Sequence, residues 1–341
     1  MHSNKRFRQK YQGEIMRKIR WGIVGPGNIA NRFAAAVNNL DCAELSAVAS
    51  RSEERARTFA NEHGIPHVFC GYEAMAASGT VDAVYIATPH NLHQPCAEPF
   101  LNAGIHVLCE KPMCATAYQG RKLKECADKN GVFLMEAMWT RFLPAIAEAV
   151  KIVSRGDIGE VRGIKADFCG MVTGPVERLN KASLAGGSLL DIGVYCLHFA
   201  AIFLGSSPAE IIAVAHNDDE VDLHTGIFMK YESGAIADLT SAICVRKPED
   251  AYIYGTKGYI HVPNFFGAEE IVVHTDGGEA RIVREWLGNG FEEEIIECCK
   301  CIGEGKTQSD TLPLEESIRI LEQMDKVRAQ IGIIYPFETE L

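Results

Sequence analysis

The sequence contains no uninterrupted run of about 18 apolar residues and no hydrophobic stretch near its beginning, so neither a membrane span nor a secretory signal is expected. A cysteine framework is lacking as well. The 12 cysteines are scattered singly, apart from Cys298, Cys299 and Cys301, which is the usage of a reduced, cytoplasmic protein. Cys298 and Cys301 have the spacing of a redox pair or half a zinc site, but no second pair or HxxxH stands near them. Buried thiols and no metal site are therefore expected. Positive charge is in deficit, since 34 Lys and Arg against 45 Asp and Glu leave a net charge of −11. That balance disfavours nucleic acid and anionic membrane as main partners, while permitting a local basic pocket. There is no internal repeat and no low-complexity linker.

What remains is an ordinary globular composition, 47% hydrophobic and 23% charged, over 341 residues. That length favours two domains over one core. Residues 1–17 are polar and basic and are expected to be a disordered extension. From residue 18 to 138, short apolar runs alternate with helical patterns. IRWGIVG reads as a first strand, followed by Ile29, Phe33, Val37 and Leu40 at helical spacing. ELSAVAS, VDAVYIAT, HVLCEK and VFLMEA continue the strands. SEERARTFANEHG reads as a capped helix ending at Gly64. The alternation predicts an α/β Rossmann domain, a doubly wound parallel sheet covered on both faces. Past residue 139 the pattern changes to strand after strand without intervening helices, and Leu314 to Ile331 mark a closing amphipathic helix. This predicts an α+β domain over 139–341 with a large, mostly antiparallel sheet. Ile227, Met229 and Tyr231, alternating with His224 and Lys230, are expected on its open face, where two copies would pair as a homodimer.

The first strand runs into Gly25-Pro26-Gly27-Asn28-Ile29-Ala30. Gly25 permits a tight turn, Gly27 leaves room for a pyrophosphate, and the helix N-terminus at Asn28 and Ile29 supplies an anion site. Following a strand and opening a helix is the context that turns this short motif into a dinucleotide site. At the end of the second strand an NAD site would place a carboxylate for the ribose 2′-hydroxyl. Ser50, Arg51 and Arg55 stand there instead, and a hydroxyl with guanidinium groups suits a 2′-phosphate. NADP(H) is expected in preference to NAD(H).

Other strands end in Thr88-Pro89 with His93 beyond, and in Glu110-Lys111. Ligands of open α/β sheets bind at such carboxyl edges, so all five residues are expected to border the cofactor. Lysine is the cation best suited to proton transfer when partly desolvated, which makes Lys111 a catalytic candidate, with His93 a second. GxGxxA, ATPxxxH and EKP in this order resemble the Gfo/Idh/MocA oxidoreductase family. EAMWTRFLP, with an Asp191-x-x-x-Tyr195 pair, resembles its dimeric dihydrodiol dehydrogenase branch, which includes NADP-dependent D-xylose 1-dehydrogenases. The resemblance implies that Lys111 helps bind the nicotinamide ribose and takes part in proton transfer. It also implies that Asp191 belongs to the site, with Tyr195 where many members carry histidine.

Asp191 and Tyr195, four apart, would share a helical face. The Lys111 ammonium is expected to lower the Tyr195 phenol from its usual value of about 10, making it the acid-base group. Trp139 and Phe142 are expected to wall the substrate pocket, and Arg141 to pair with Glu136 or touch the cofactor. His198 is expected to be a satisfied core histidine. Residues 170–187, irregular and rich in glycine, are expected to form a lid. The function this implies is an NADP-dependent oxidoreductase acting on a carbinol or hemiacetal carbon of a small sugar, polyol or cyclic diol. The alternative is a catalytically silent NADP-binding regulator, which would have no use for Lys111, Asp191 and Tyr195 together.

Overall fold

Six short apolar strands pair in parallel: β1 (Ile19–Val24), β2 (Ala43–Ser50), β3 (His67–Cys70), β4 (Ala83–Ile86), β5 (His106–Glu110) and β6 (Leu134–Ala137). In the computed structural model, which describes residues 17–172 and 176–338, their order is β3-β2-β1-β4-β5-β6. The extension at 1–17 lies outside the described residues except for Arg17. Connecting helices are α1 (Asn28–Asn38), α2 (Glu53–His63), α3 (Tyr72–Ala76), α4 (His93–Asn102) and α5 (Ala117–Asn130). The strand order reverses between β1 and β4, which opens a crevice at their carboxyl ends.

Local sequence explains the framework. On α1, Ala30, Phe33, Ala34 and Val37 are buried, and Phe33 stacks flat on Tyr85 of β4 with centroids 3.9 Å apart. Ile29, expected on that buried face, is half-buried and turns toward the crevice. The Ser52 hydroxyl accepts the Arg55 N–H to start α2, and Gly64 at φ 69° ends it, a conformation that costs a residue with a Cβ.

Beyond β6 the chain forms α6 (Pro144–Arg155), β7 (Val161–Cys169), α7 (Glu177–Asn180), a π-turn at Leu189–Gly193, and α8 (Val194–Leu204). Strands β8 (Glu210–Asn217), β9 (Asp222–Lys230), β10 (Ile236–Ala242), β11 (Ala251–Gly255), β12 (Gly258–Val262), β13 (Glu270–Thr275) and β14 (Gly278–Val283) follow, then α9 (Glu292–Gly303) and α10 (Leu314–Ile331). The second sheet has the order β14-β13-β12-β11-β7-β10-β9-β8 and is antiparallel except for the β7–β10 pair. Strands β7 and β8 add to those read from the pattern, and β7 is central. The run Ala182–Leu204 has the length and hydropathy of a membrane span, but 78% of its apolar window is buried as core under this sheet.

One correction concerns the open face. Ile227, Met229 and Tyr231 point inward and are buried, whereas Phe228 and Lys230 face out. The alternation was right and its phase was reversed. The last helices return to the first domain: α9 packs on α1, and α10 packs on α5 and β6 as well as on β8. Cys298, Cys299 and Cys301 are buried on α9, and all 12 cysteines are free.

Candidate active site

A cavity of about 840 Å³ runs along the carboxyl edge of the first sheet and ends against α8 and β7. Its floor begins at the glycine turn. Gly25 adopts φ +89°, and a Cβ there would stand 3.0 Å from the Ala87 carbonyl oxygen and from the Thr88 methyl. Both the backbone and the close approach therefore require glycine. A Cβ on Gly27 would meet nothing within 4 Å because it would project into the cavity. Gly27 is also the N-cap of α1 and makes no side-chain cap, so the first-turn N–H groups stay open to an anion. Ser50, Arg51 and Arg55 line the neighbouring wall, with Arg55 3.5 Å from the Pro26 carbonyl oxygen. Open backbone donors beside a basic rim fit a dinucleotide carrying an extra phosphate.

Lys111, Asp191 and Tyr195 meet at the far end. Lys111 Nζ donates to the Asp191 carbonyl oxygen at 2.6 Å, lies 3.4 Å from Asp191 Oδ1, and sits 5.0 Å from the centre of the Tyr195 ring. Asp191 belongs to the π-turn and Tyr195 to the start of α8, so the wider turn, not a regular helical face, brings both onto the lysine. Arg178 of α7 donates to Asp191 Oδ1 at 2.7 Å, and His90 Nε2 lies 3.9 Å from the same oxygen. Burial would raise the Asp191 carboxyl, but the Lys111 and Arg178 cations hold it well below the carboxylate range. Each cation near 4 Å contributes roughly 4 kcal/mol at an effective dielectric constant of 20, enough to offset a desolvation cost of several kcal/mol. Burial likewise pulls Lys111 down, and Asp191, Tyr195 and Glu110 more than offset it, so the ammonium persists.

Tyr195 differs from expectation. Burial raises its phenol above the usual value, and the Lys111 ammonium, which faces the ring, does not reverse the sign. Its oxygen accepts the Trp139 indole N–H at 3.3 Å.

His93 borders the cavity but is fully buried, with Nδ1 2.8 Å from the Pro112 carbonyl oxygen and Nε2 2.9 Å from that of Thr88. Both ring nitrogens face carbonyl oxygens, and the neutral ring donates its single hydrogen to one of them, so His93 braces the Thr88 and Lys111 turns and is not placed for proton transfer. Arg141 and Phe142 stand outside the cavity lining. Arg141 pairs with Glu316 at 2.6 Å and contacts His198 Nδ1 at 3.3 Å, while His198 Nε2 lies 3.1 Å from Glu136. Arg141 therefore belongs to a polar chain with Glu316, His198 and Glu136 outside the cavity lining. Trp139 does line the cavity, and Phe168, Phe266 and Phe291 join it, with Phe168 and Phe266 stacked at 4.3 Å. Glu110 accepts the Lys111 N–H at 3.1 Å on one oxygen and the Tyr85 hydroxyl on the other. Of the stretch 170–187, residues 173–175 lie outside the described residues, and Arg178 is the part that reaches the site.

Comparison with known proteins agrees with this geometry. The oxidoreductase family with an NAD-binding Rossmann fold (GFO_IDH_MocA) matches residues 19–138, and the GFO/IDH/MocA C-terminal domain matches 146–261. The chain belongs to the Gfo/Idh/MocA oxidoreductase family. Trans-1,2-dihydrobenzene-1,2-diol dehydrogenase of Mus musculus is 34% identical over 93% of this chain and 98% of that protein. The Homo sapiens enzyme of the same name is 33% identical over 93% and 98%. Among solved structures, aldose-aldose oxidoreductase from Caulobacter crescentus, complexed with glycerol, superposes with a TM-score of 0.86 at 26% identity, covering 93% of this chain and 98% of that one. The 3-ketoreductase KijD10 from Actinomadura kijaniata, in complex with NADP and TDP-benzene, gives 0.84 at 28% identity over 92% and 98%.

Proposed function

We propose that this family member is an NADP(H)-dependent oxidoreductase that moves a hydride between nicotinamide and a carbinol or hemiacetal carbon of a small sugar, polyol or cyclic diol. The observation that carries the reading is the convergence of Lys111, Asp191 and Tyr195 at one end of the cavity whose other end is the Gly25–Gly27 turn. The dinucleotide, when bound, supplies or takes up the hydride. The chain's own residues handle the proton and the orientation. Because the Tyr195 oxygen already accepts the Trp139 N–H, its own hydrogen is available to the substrate oxygen. A phenol kept protonated by burial suits the acid role in carbonyl reduction, and in oxidation the same oxygen takes the proton back. Lys111, tied to Asp191, remains an ammonium that stabilises charge on the substrate oxygen and on Tyr195. Asp191, gripped by Arg178 and Lys111, fixes the lysine.

The lining at the substrate end divides by chemistry into the aromatic rings of Trp139, Phe168 and Phe266 and the charged Lys111, Asp191 and Arg178. That division suits a ring with an apolar face and a hydroxylated edge. Relatives named for a dihydrodiol and for aldoses support the same class. At the cofactor end Ser50, Arg51 and Arg55 favour NADP(H), as does the NADP complex of KijD10. The test is a screen of aldoses, inositols and dihydrodiols with NADP+ and NAD+, read at the reduced-nicotinamide absorbance. Turnover of a sugar or diol with NADP+ is expected, and inertness toward all three classes with both cofactors would overturn the reading.

Two copies are proposed to pair through the outer face of the second sheet. Ile212, Val214, Phe228, Ile236, Tyr254 and Tyr259 are exposed there, with Val214 reaching 70%. An apolar patch shared by five strands of one sheet fits a two-fold, self-complementary contact. Sedimentation at micromolar concentration is expected to give a dimer, and the mass of a single 37.4 kDa chain would contradict it.

A further inference from the structure

Asp222 opens β9 and is 1% exposed, a buried carboxylate that the chemistry above does not use. Its Oδ2 accepts three hydrogen bonds: the Leu189 N–H at 2.8 Å, the Ser188 hydroxyl at 2.7 Å and the Thr225 hydroxyl at 2.8 Å. Oδ1 has no hydrogen-bonding partner among the described residues. Leu189 is the first residue of the π-turn, and Ser188 before it supplies no side-chain cap. The Asp222 carboxylate fills that role from another strand. The chain closes tightly around it: Gly187 adopts φ +107°, and a Cβ there would collide with Oδ1.

The far end of the π-turn is held to the same sheet. A Cβ on Gly193 would stand 2.9 Å from the Ser241 hydroxyl oxygen, and Ser241 of β10 lies 3.1 Å from the Ser188 hydroxyl. Asp191 sits between the two anchored ends, and Tyr195 comes two residues after the second. A π-turn winds more widely than an α-helix and is rare. Relaxing this one to regular helix would rotate Asp191 against Tyr195 by tens of degrees, on the order of the change in residues per turn. The two would no longer meet on one ammonium.

We infer that Asp222 is a positioning residue for the reaction: by anchoring the start of the π-turn it keeps Asp191 and Tyr195 together on Lys111. The inference rests on the oxidoreductase reading above. Asp222 is not part of the cavity lining, so it acts through the turn. Misplacing reacting groups by about 1 Å costs on the order of a hundredfold in rate.

The variants are Asp222→Leu, which removes the acceptor, and Asp222→Asn, whose carbonyl oxygen replaces Oδ2 while its amide group takes the unpartnered Oδ1 position. Turnover of D-xylose and trans-1,2-cyclohexanediol with NADP+ is measured beside Kd for NADPH. Lys111 itself is followed by acetic anhydride labelling against pH, read by peptide mass spectrometry, because only the free amine reacts. Asp191, Tyr195 and Glu110 raise the Lys111 ammonium against burial and against Arg178, while the nearby His90 ring is neutral. Its labelling midpoint in the wild type is therefore expected above that of exposed lysines. In Asp222→Leu, kcat is expected to fall about ten- to a hundredfold with Kd within about threefold, and the midpoint to drop below exposed lysines as burial prevails. Simple loss of folded protein would only bring it level with them. Asp222→Asn is expected to stay within about threefold of wild-type kcat.

Unchanged kcat in Asp222→Leu, a midpoint that stays put or only levels, or an asparagine variant as impaired as leucine would overturn the inference. If Asp222→Leu does not fold, Ser188→Ala is read instead, with a loss of about three- to tenfold and the same direction of midpoint expected; no change in either would also overturn it. If neither substrate turns over, a midpoint that still drops means that the redox reading fails while the hold of Asp222 on the lysine site stands. A midpoint that does not move sinks both.

Discussion

At its glycine end the cavity is built from backbone and from exposed cations, whereas at its lysine end Lys111 and Asp191 are largely buried and paired, and only Arg178 reaches in from a half-exposed position. Arg51 and Arg55 are solvent-exposed, and Gly25 and Gly27 contribute shape and N–H groups. Asp191, by contrast, is 7% exposed and Tyr195 8%, and three elements distant in sequence converge on Asp191. Exposed charge is screened by solvent, so the first end tunes affinity in modest steps. Buried charge is strongly coupled, so a single change at the second end disturbs every partner. The two ends are expected to fail in different ways: one in binding, the other in turnover.

The largest effect should come from Tyr195→Phe, which keeps the ring and removes the transferable hydrogen. Turnover is expected to fall roughly 10²–10⁴-fold with a nearly unchanged Kd for NADPH. The pH profile sharpens the assignment. Reduction needs the phenol protonated, and its value lies above 10.0, so wild-type reduction should stay flat up to about pH 10 while oxidation keeps rising. The phenylalanine variant should show neither feature. Next in size is Lys111→Met, which removes the ammonium that stabilises charge on the substrate oxygen. A loss of roughly 10²–10³-fold in kcat is expected. Near-normal turnover with an unchanged melting temperature would return Glu110-Lys111-Pro112 to an ordinary turn.

At the other end, Arg51→Asp should weaken NADP(H) about ten- to a hundredfold while leaving NAD(H) nearly unaffected, because only the former carries the 2′-phosphate. Equal weakening of both cofactors would contradict the assignment. The smallest expected effect is on stability. The His90 ring titrates near 3 when folded and at 6.5 when free. Between those values the unfolded chain binds a proton that the folded chain does not, so stability rises with pH by roughly 1 kcal/mol per unit. His93, also lowered by burial, contributes with the same sign. Raised carboxyls such as Glu293, pushed up to about 7 by burial, contribute with the opposite sign in both proteins, so this slope should appear in the difference between wild type and His90→Phe in urea unfolding between pH 5 and 6.5.

These differences also mark what the sequence discloses. The glycine turn, Ser50, Arg51 and Lys111 are legible because each ends a strand of a recurring unit, and strand ends share one edge. Asp191 and Tyr195 were found by resemblance, but the helical-face argument missed the π-turn that aims them. The sign of the Tyr195 shift could not be read, because it depends on burial by Trp139, Phe168 and Phe266, which arrive from other elements. Arg141 looked like a site residue beside Trp139, yet its partner Glu316 lies 175 positions away. His90 and His93 occupy the same turn, and only the fold decides which faces the cavity with a free nitrogen. Phe168 was missed along with β7, although Ile164, Ala166 and Phe168 alternate there as an inward face should.

The most direct test measures both quantities on one variant from each end and on the double variant: Kd for NADPH by fluorescence titration, and the single-turnover rate of hydride transfer. Arg51→Asp should shift Kd and leave the rate within about threefold, Tyr195→Phe should shift the rate and leave Kd, and the double variant should show the two effects added. A Tyr195→Phe protein that transfers hydride at the wild-type rate, or an Arg51→Asp protein slowed as severely at saturating cofactor, would contradict the division between the two ends.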